Sequence, residues 1–206
     1  INYPWGMSFL NKKKVLVSSK PGSIYLIDLD KFTTKIIHKI IDTQSYGQGG
    51  LLDIMNIKIK STNYLFVCYL SKLDNEVVIE RYKLDKLKLL EKKTIFKSNY
   101  NKRSGKHFGC RLTNYKKSIL ATIGDRGDRE NSQNARNYSG SIIQLSYEGD
   151  KLGYKNNSWL KGIFSIGHRN PQGLIYLKEF DEIWSHEHGP KGGDEINVIN
   201  KGLNYG

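Results

Sequence analysis

The chain has 206 residues, of which 38% are hydrophobic and 26% charged, and this composition excludes a disordered, a collagen-like or a disulfide-built protein. The net charge is +13, but the lysines are scattered among acidic residues instead of alternating with aromatic ones, so we predict a diffuse basic surface and no nucleic-acid partner. No apolar run reaches the roughly 18 residues that a membrane-spanning helix needs, so we predict no membrane span.

Short apolar runs, rich in β-branched and aromatic residues and bounded by turns of Gly, Asn, Asp and Lys, predict an all-β chain. Residues 85–93 carry helix-forming residues but fit equally well as a charged outer strand with its turn. In chain order, the predicted strands span residues 15–18, 22–28, 64–69, 77–84, 119–123, 140–146, 183–185 and 195–199.

The strands recur with a long period. Val15, Leu65, Ile119 and Ile183 occupy equivalent places, at separations of 50, 54 and 64 residues. This spacing is typical of the four-stranded blades of a β-propeller, whereas the alternative, a large β-sandwich, has no such superperiod. Three to four blades leave two edges where a closed ring would continue. Together with a first residue that is Ile1, this predicts a partial propeller over residues 1–206, a fragment of one longer domain.

Four connections carry polar residues flanked by glycines, and propellers place their sites on such connections around the central axis. Glycine allows a close backbone approach and positive φ, so a turn can present a polar side chain or a carbonyl group to a ligand. The four segments are residues 47–53, 105–112, 167–174 and 187–195.

Several other kinds of site are disfavoured by spacing. Residues 125–130 are acidic but lack the calcium-binding EF-hand pattern, so we interpret them as a salt-bridged turn. His186 and His188 suggest zinc, yet the helical zinc motif is absent. The chain has no phosphate-binding Walker loop and no serine nucleophile elbow. Cys68 and Cys110 are predicted to be buried free thiols.

The four segments together resemble the soluble quinoprotein glucose dehydrogenases, specifically the aldose sugar dehydrogenase branch of the glucose/sorbosone dehydrogenase family. The most specific motifs are HRNPQG at residues 168–173 and EHGP at residues 187–190, followed by GDE at residues 193–195. The resemblance covers nearly the whole chain. It implies an all-β, six-bladed β-propeller of which this chain holds the first three to four blades.

The resemblance also implies the chemistry. The family oxidises aldose sugars at C1 to the lactone by hydride transfer to pyrroloquinoline quinone with calcium present, and passes electrons to a quinone or cytochrome. It is periplasmic or secreted. By position, His107 matches the general base, and Gln48, Arg169 and Asn170 match residues that bind the cofactor. Four further positions match calcium ligands: Gly189 and Pro190 through their carbonyls at the active site, and Glu195 and Tyr205 at a structural ion.

Lys106 departs from the glucose-oxidising branch, which has an acidic residue beside the base, and this argues against glucose itself as the substrate. The C-terminal half that supplies further basic residues is absent, so this segment is expected to be inactive alone. The alternative function is that of a non-catalytic propeller that binds a glycan or a protein partner through the same face.

Overall fold

The computed structural model describes all residues from Ile1 to Gly206, and its regular secondary structure is antiparallel strand apart from one short helix. The chain divides into two compact units, Ile1–Lys97 and Ser98–Gly206. None of its helices is long and apolar enough to cross a membrane. The all-β prediction is confirmed, while the prediction of one domain over residues 1–206 stays a prediction.

The first unit contains two four-stranded sheets in which strands that follow each other in the chain pair as neighbours. Its strands are β1 (Pro4–Asn11), β2 (Lys14–Ser19), β3 (Ser23–Asp28) and β4 (Thr33–Lys39) in the first sheet, and β5 (Leu51–Ile59), β6 (Thr62–Leu70), β7 (Val77–Asp85) and β8 (Lys88–Lys97) in the second. Leu16, Ile24, Leu51, Leu65 and Val67 are among the residues of the core that the two sheets share.

The second unit contains a four-stranded and a three-stranded sheet with the same up-and-down order. Its elements are β9 (Gly109–Tyr115), β10 (Ser118–Ile123), the short helix α1 (Glu130–Gln133), β11 (Ser141–Leu145), β12 (Ile163–Ile166), β13 (Pro171–Leu177), β14 (Glu182–Glu187) and β15 (Glu195–Val198). Leu120, Ile142, Phe164, Leu174 and Ile183 belong to its core.

The repeat predicted from the sequence is confirmed by the strand order. Val15, Leu65, Ile119 and Ile183 lie on β2, β6, β10 and β14, the second strand of each sheet. Each second strand is paired along both of its edges. In β10, for example, all six residues are buried.

Two sequence interpretations are resolved by the fold. Residues 88–97 form the outer strand β8 and not a helix, because the strand pairs with β7 along its length. Cys68 and Cys110 are buried as predicted, but both are disulfide-bonded, so the free-thiol prediction is wrong. Two cysteines are too few for a disulfide-built scaffold, but their number does not show whether the two thiols are free.

Candidate active site

A histidine and a buried carboxylate form a close pair in the second unit. His107 lies in the connection before β9, and Asp125 follows β10. The Nδ1 atom of His107 lies 2.7 Å from Oδ1 of Asp125, and the two side chains are 12% and 3% exposed. Because the carboxylate accepts at Nδ1, the neutral imidazole carries its proton there and keeps its lone pair on Nε2. This is the tautomer that a general base requires.

The turn that follows β10 positions this pair. The Asp125 carboxylate also accepts a hydrogen bond from the backbone N–H of Gly127 at 2.6 Å. The N–H of Arg126 donates to the carbonyl of His107 at 3.2 Å. A Cβ atom on Gly124 would lie 2.2 Å from that same carbonyl oxygen, so the two backbones meet at a distance that only glycine permits.

This geometry corrects the interpretation of residues 125–130 as a salt-bridged turn. Asp125 is paired with His107 and not with an arginine of the turn, so the interpretation is wrong for this residue. Asp128 does form an ion pair, at 3.2 Å, but with Lys102. The sequence signal for Asp125 was an acid placed directly after a fully buried strand, which puts its carboxylate at the end of a sheet.

A buried arginine fixes the loop that carries His107. The guanidinium of Arg126 lies 4.2 Å from the ring centroid of Phe108. It donates to the carbonyls of Tyr100 and Lys102 at 3.3 and 3.1 Å. An arginine loses its hydration on burial, and these carbonyl and aromatic contacts replace part of it. The loop from Tyr100 to Phe108 is thereby tied to the turn that holds Asp125.

Arg169 joins this pair through the backbone. Its carbonyl accepts a hydrogen bond from the N–H of Asp125 at 2.8 Å. Its side chain donates from one terminal nitrogen to the carbonyl of His188 at 2.8 Å. Asn170 is buried, and its Oδ1 accepts from the amide of Gln172 at 2.8 Å. The segments that carry His107, Asp125 and Arg169 are therefore held together by direct bonds.

Gly189 and Pro190 begin a tight turn. The N–H of Gly189 donates to Oδ1 of Asp194 at 3.0 Å, and the N–H of Gly193 donates to the carbonyl of Pro190 at 3.1 Å. A Cβ atom on Gly189 would lie 1.7 Å from the carbonyl oxygen of Gly193. The hydrogen bond from Gly189, with a further contribution from His188, lowers the pKa of the Asp194 carboxyl below its usual value.

One cavity of about 420 Å³ collects most of the predicted site residues. Arg169, Gly189, Pro190, Glu195 and Tyr205 line it, together with Asp125. His107 and Asn170 are not part of its wall, although Asp125 holds His107 beside it. Gln48 lies in the other unit, in the connection between β4 and β5. Its role stays a prediction.

The two residues expected at a structural calcium line the cavity, but their side chains form hydrogen bonds with residues close to them in the chain. One carboxylate oxygen of Glu195 accepts from the amide of Asn197 at 3.0 Å. The hydroxyl of Tyr205 donates to the carbonyl of Val198 at 2.9 Å and accepts from the N–H of Asn200 at 2.6 Å. A role for Tyr205 as a ligand is therefore restricted to its backbone carbonyl.

The donor set of the cavity fits calcium and an anionic cofactor. No three His, Cys, Asp or Glu side chains form a group that could hold a metal ion, so the side chains alone do not complete a site. The cavity wall nevertheless holds the carboxylate of Glu195 and the turn of Gly189 and Pro190. Oxygen donors of this kind suit a hard cation. Arg169 adds the guanidinium that suits carboxylates.

The structure does not favour the zinc interpretation of His186 and His188. The imidazole of His186 packs so closely on Gly173 that a Cβ atom there would lie 2.0 Å from the ring. His188 Nδ1 lies 3.4 Å from Oδ2 of Asp194. The two imidazole rings therefore make separate contacts, and they do not form a metal-binding group with a third His, Cys, Asp or Glu side chain.

Sequence reasoning also missed Glu187. It recognised this residue only as the first letter of a motif, but its carboxylate is buried and accepts hydrogen bonds from both Arg169 and Asn170. An acid at the buried end of an apolar strand was the available signal.

Repeated up-and-down sheets and a buried His–carboxylate pair beside an oxygen-lined cavity define the class, an all-β protein of the β-propeller type with an enzyme-like site. The chain belongs to the Glucose / Sorbosone dehydrogenase family, which matches residues 1–206.

Named relatives agree with this assignment. The chain is 28% identical to the aldose sugar dehydrogenase YliI of Escherichia coli, over all of this chain and 59% of the relative. It is 26% identical to quinoprotein glucose dehydrogenase B of Acinetobacter calcoaceticus, over 93% of this chain and 47% of the relative. The chain therefore spans about half the length of these relatives.

A solved structure supports the fold. The PQQ-bound form of the aldose sugar dehydrogenase of Streptomyces coelicolor superposes with a TM-score of 0.88 at 28% identity, over all of this chain and 62% of that one. The prediction of a partial β-propeller is thereby confirmed.

Proposed function

We propose that the full-length protein is a quinoprotein that oxidises an aldose sugar at C1 to the lactone, with pyrroloquinoline quinone and calcium bound at the cavity of the second unit. The observation that carries the proposal is the His107–Asp125 pair, held at 2.7 Å beside a cavity that Arg169 lines. A propeller that only binds a glycan or a protein has no need of a histidine held by a buried carboxylate.

In this mechanism His107 takes the proton of the C1 hydroxyl group on Nε2. Asp125 keeps the ring in the required tautomer and stabilises the positive charge that develops on it. Pyrroloquinoline quinone, held beside Arg169, would supply the acceptor for the hydride of C1, and calcium, held at the Gly189–Pro190 turn, would supply a Lewis acid. The substrate thus loses one proton and one hydride, which balances its oxidation to the lactone.

Arg169 orients the cofactor. One terminal nitrogen is held by the carbonyl of His188, which fixes the plane of the guanidinium at the cavity. Its charge attracts the carboxylates of the quinone. Asn170 and Gln48 are proposed to complete the cofactor contacts, and Gly189, Pro190, Glu195 and the carbonyl of Tyr205 are proposed to supply oxygen ligands to calcium.

We also propose that the protein is periplasmic or secreted and passes electrons to a quinone or a cytochrome. Both cysteines are disulfide-bonded, and disulfides persist in oxidising compartments.

The test uses full-length protein reconstituted with the quinone and calcium, assayed by dye reduction with an aldose and by titration of the apoprotein with the quinone. His107→Gln is expected to lower turnover by about 10² to 10⁴ and to leave quinone affinity within about twofold. Arg169→Ala is expected to weaken both, because a charge-assisted contact is lost in the ground state too.

His38→Gln is the matched control, because His38 lies on β4 and is outside the proposed site. It should change neither quantity. Removing calcium with a chelator should weaken quinone binding, and added calcium should restore it. Near-normal turnover in His107→Gln would contradict the role of the base, and unchanged quinone affinity in Arg169→Ala would contradict the cofactor site.

A further inference from the structure

A buried carboxylate at the end of β14 binds two consecutive backbone amides. Glu187 is 4% exposed. Its Oε2 accepts from the N–H of Arg169 at 2.6 Å and from the N–H of Asn170 at 3.2 Å. Its Oε1 lies 2.9 Å from Nδ1 of His168. Three donors from three consecutive residues therefore converge on one carboxylate.

His168 extends this group away from the cavity. Its side chain is completely buried, and its Nε2 lies 2.9 Å from the hydroxyl of Ser165. With the carboxylate accepting at Nδ1, the neutral ring accepts at Nε2, so Ser165 donates its proton there. The ring also stacks on Tyr205, with centroids 5.2 Å apart. Every polar atom of the imidazole is therefore satisfied, and its rotation is blocked.

The same segment is tied to the turn that follows Glu187. The N–H of His188 donates to the carbonyl of Asn170 at 3.2 Å, and the side chain of Arg169 donates to the carbonyl of His188. Arg169 and Asn170, the proposed cofactor contacts, directly precede β13, and Gly189 and Pro190, the proposed calcium turn, follow β14. Glu187 ends β14 and bonds to Arg169 and Asn170, so it connects the two segments.

We propose that Glu187 is a positioning residue whose carboxylate fixes the backbone of Arg169 and Asn170 and so aims both residues at the cofactor. This inference rests on the proposed function and adds a residue to it. Glu187 does not itself react. Its two oxygens accept from the N–H groups of Arg169 and Asn170 and from His168, and these bonds are in place without a bound ligand.

The chemistry of the carboxylate is specific. Glutamine has the same size but only one acceptor oxygen and no negative charge. If its amide nitrogen faces the two backbone N–H groups, both lose their acceptor; if it faces His168, the ring must change tautomer and donate from Nε2 to Ser165, and the two backbone N–H groups keep only a weaker, uncharged acceptor. A buried donor without an acceptor costs more than an ordinary hydrogen bond contributes, so the segment is expected to shift.

The test compares Glu187→Gln with Glu182→Gln in the full-length protein. Glu182 is the matched control, because it starts the same strand, accepts a hydrogen bond from the side chain of Trp184 and does not line the cavity. The first measurement is hydrogen exchange at the amides of Arg169 and Asn170 without cofactor. The second is quinone affinity by titration, and the third is turnover at saturating quinone.

In Glu187→Gln, exchange at the two amides is expected to be at least about tenfold faster and quinone affinity about tenfold weaker, while turnover at saturating quinone stays within about threefold. Glu182→Gln should match the wild type in all three. A residue with a merely structural role would lower thermal stability without this separation of affinity from turnover.

Unchanged exchange at Arg169 and Asn170 would overturn the proposal, as would faster exchange with unchanged quinone affinity. If Glu187→Gln does not fold, Ser165→Ala serves instead. In this variant the carboxylate still accepts from both amides and from His168, so exchange at the two amides should stay at the wild-type rate. Exchange as fast as that expected for Glu187→Gln would show that the Ser165–His168 bond and not the carboxylate fixes the backbone, and would overturn the proposal.

Failure of the proposed function can be distinguished from failure of the inference about Glu187. If the wild-type protein binds no quinone, the proposed function fails, and the exchange rates measured without cofactor still decide whether Glu187 fixes the two amides.

Discussion

Buried carboxylates in this protein collect several donors each, and Glu80 does so in the first unit. It accepts from the hydroxyls of Tyr69 and Tyr82 at 3.0 and 2.6 Å, and it forms an ion pair with Lys92 at 2.9 Å. Burial first, and then the negative charge of Glu80, raise the pKa of both tyrosines above their usual value. The tyrosines therefore stay protonated in the folded state at pH values where the unfolded chain begins to lose these protons.

The free energy of unfolding should fall as the pH rises above about 10. There the unfolded chain binds fewer protons than the folded one, so stability that is complete below the unfolded pKa is lost with increasing pH. Each tyrosine contributes a decline of at most about 1.4 kcal/mol per pH unit, reduced by solvent screening. Urea unfolding between pH 8 and pH 11 measures the slope. Tyr82→Phe should make the decline of stability with pH less steep, and Tyr3→Phe, a control at an exposed tyrosine, should leave it unchanged. A decline in Tyr82→Phe as steep as in the wild type would contradict the raised pKa of Tyr82 as its cause.

Single residues also show the limit of the sequence. His107 and Arg169 were predicted because their motifs resemble those of a family, and Arg169 lines the cavity. Asp125 was missed, because its partner is 18 residues away and the bond depends on where β9 begins and β10 ends. The local sequence indicates which contacts a turn can form among its own residues. It does not identify a partner residue that a different segment of the fold brings close to the turn.

At the level of elements, the turn after β14 depends on one glycine. Gly189→Ala would place a Cβ atom 1.7 Å from the carbonyl oxygen of Gly193, so one of the two backbones must move. Overpacking of this kind costs about 1 to 3 kcal/mol. We expect a lower melting temperature and, in the full-length protein, weaker calcium binding.

Gly193→Ala is the matched control in the same turn. A Cβ atom there would meet only the carbonyl oxygen of Pro190 at 3.3 Å, and its φ lies outside the left-handed region. Its effect on stability should be smaller than about 1 kcal/mol. Thermal unfolding measures the stability of both variants. Equal losses of stability would show that the close contact at Gly189 does not control the turn.

Strands were easier to predict than their ends. The predicted runs at residues 119–123 and 77–84 match β10 and β7 closely, because apolar residues are frequent in both. Residues 85–93 were ambiguous because the exposed outer strand β8 needs few apolar side chains. Only its pairing with β7 decides the conformation, and pairing is not a local property.

For the molecule as a whole, the regular spacing of strands was sufficient to predict the repeat, since within each unit the sheets bury apolar residues in a shared core. Strand β1 and the last sheet also carry exposed apolar residues. On β1 the exposed large apolar residues are Trp5, Met7 and Phe9, which alternate along the strand. On the last sheet, Ile175, Trp184 and Val198 are aligned across β13, β14 and β15 by the strand register.

The exposed face of the last sheet should make residues 1–206, expressed alone, bind a hydrophobic dye and associate with increasing concentration. Ile175 and Ile196 are 52% and 74% exposed and lie on the same side of the sheet as Trp184, and contiguous apolar surface of this kind drives association. The double variant Ile175→Lys and Ile196→Lys should reduce both effects several-fold without unfolding the chain. Phe180→Lys is the control, because Phe180 is 71% exposed but lies in the turn between β13 and β14. Light scattering over a concentration series measures the association, and a double variant that associates as strongly as the wild type would show that this face is not responsible.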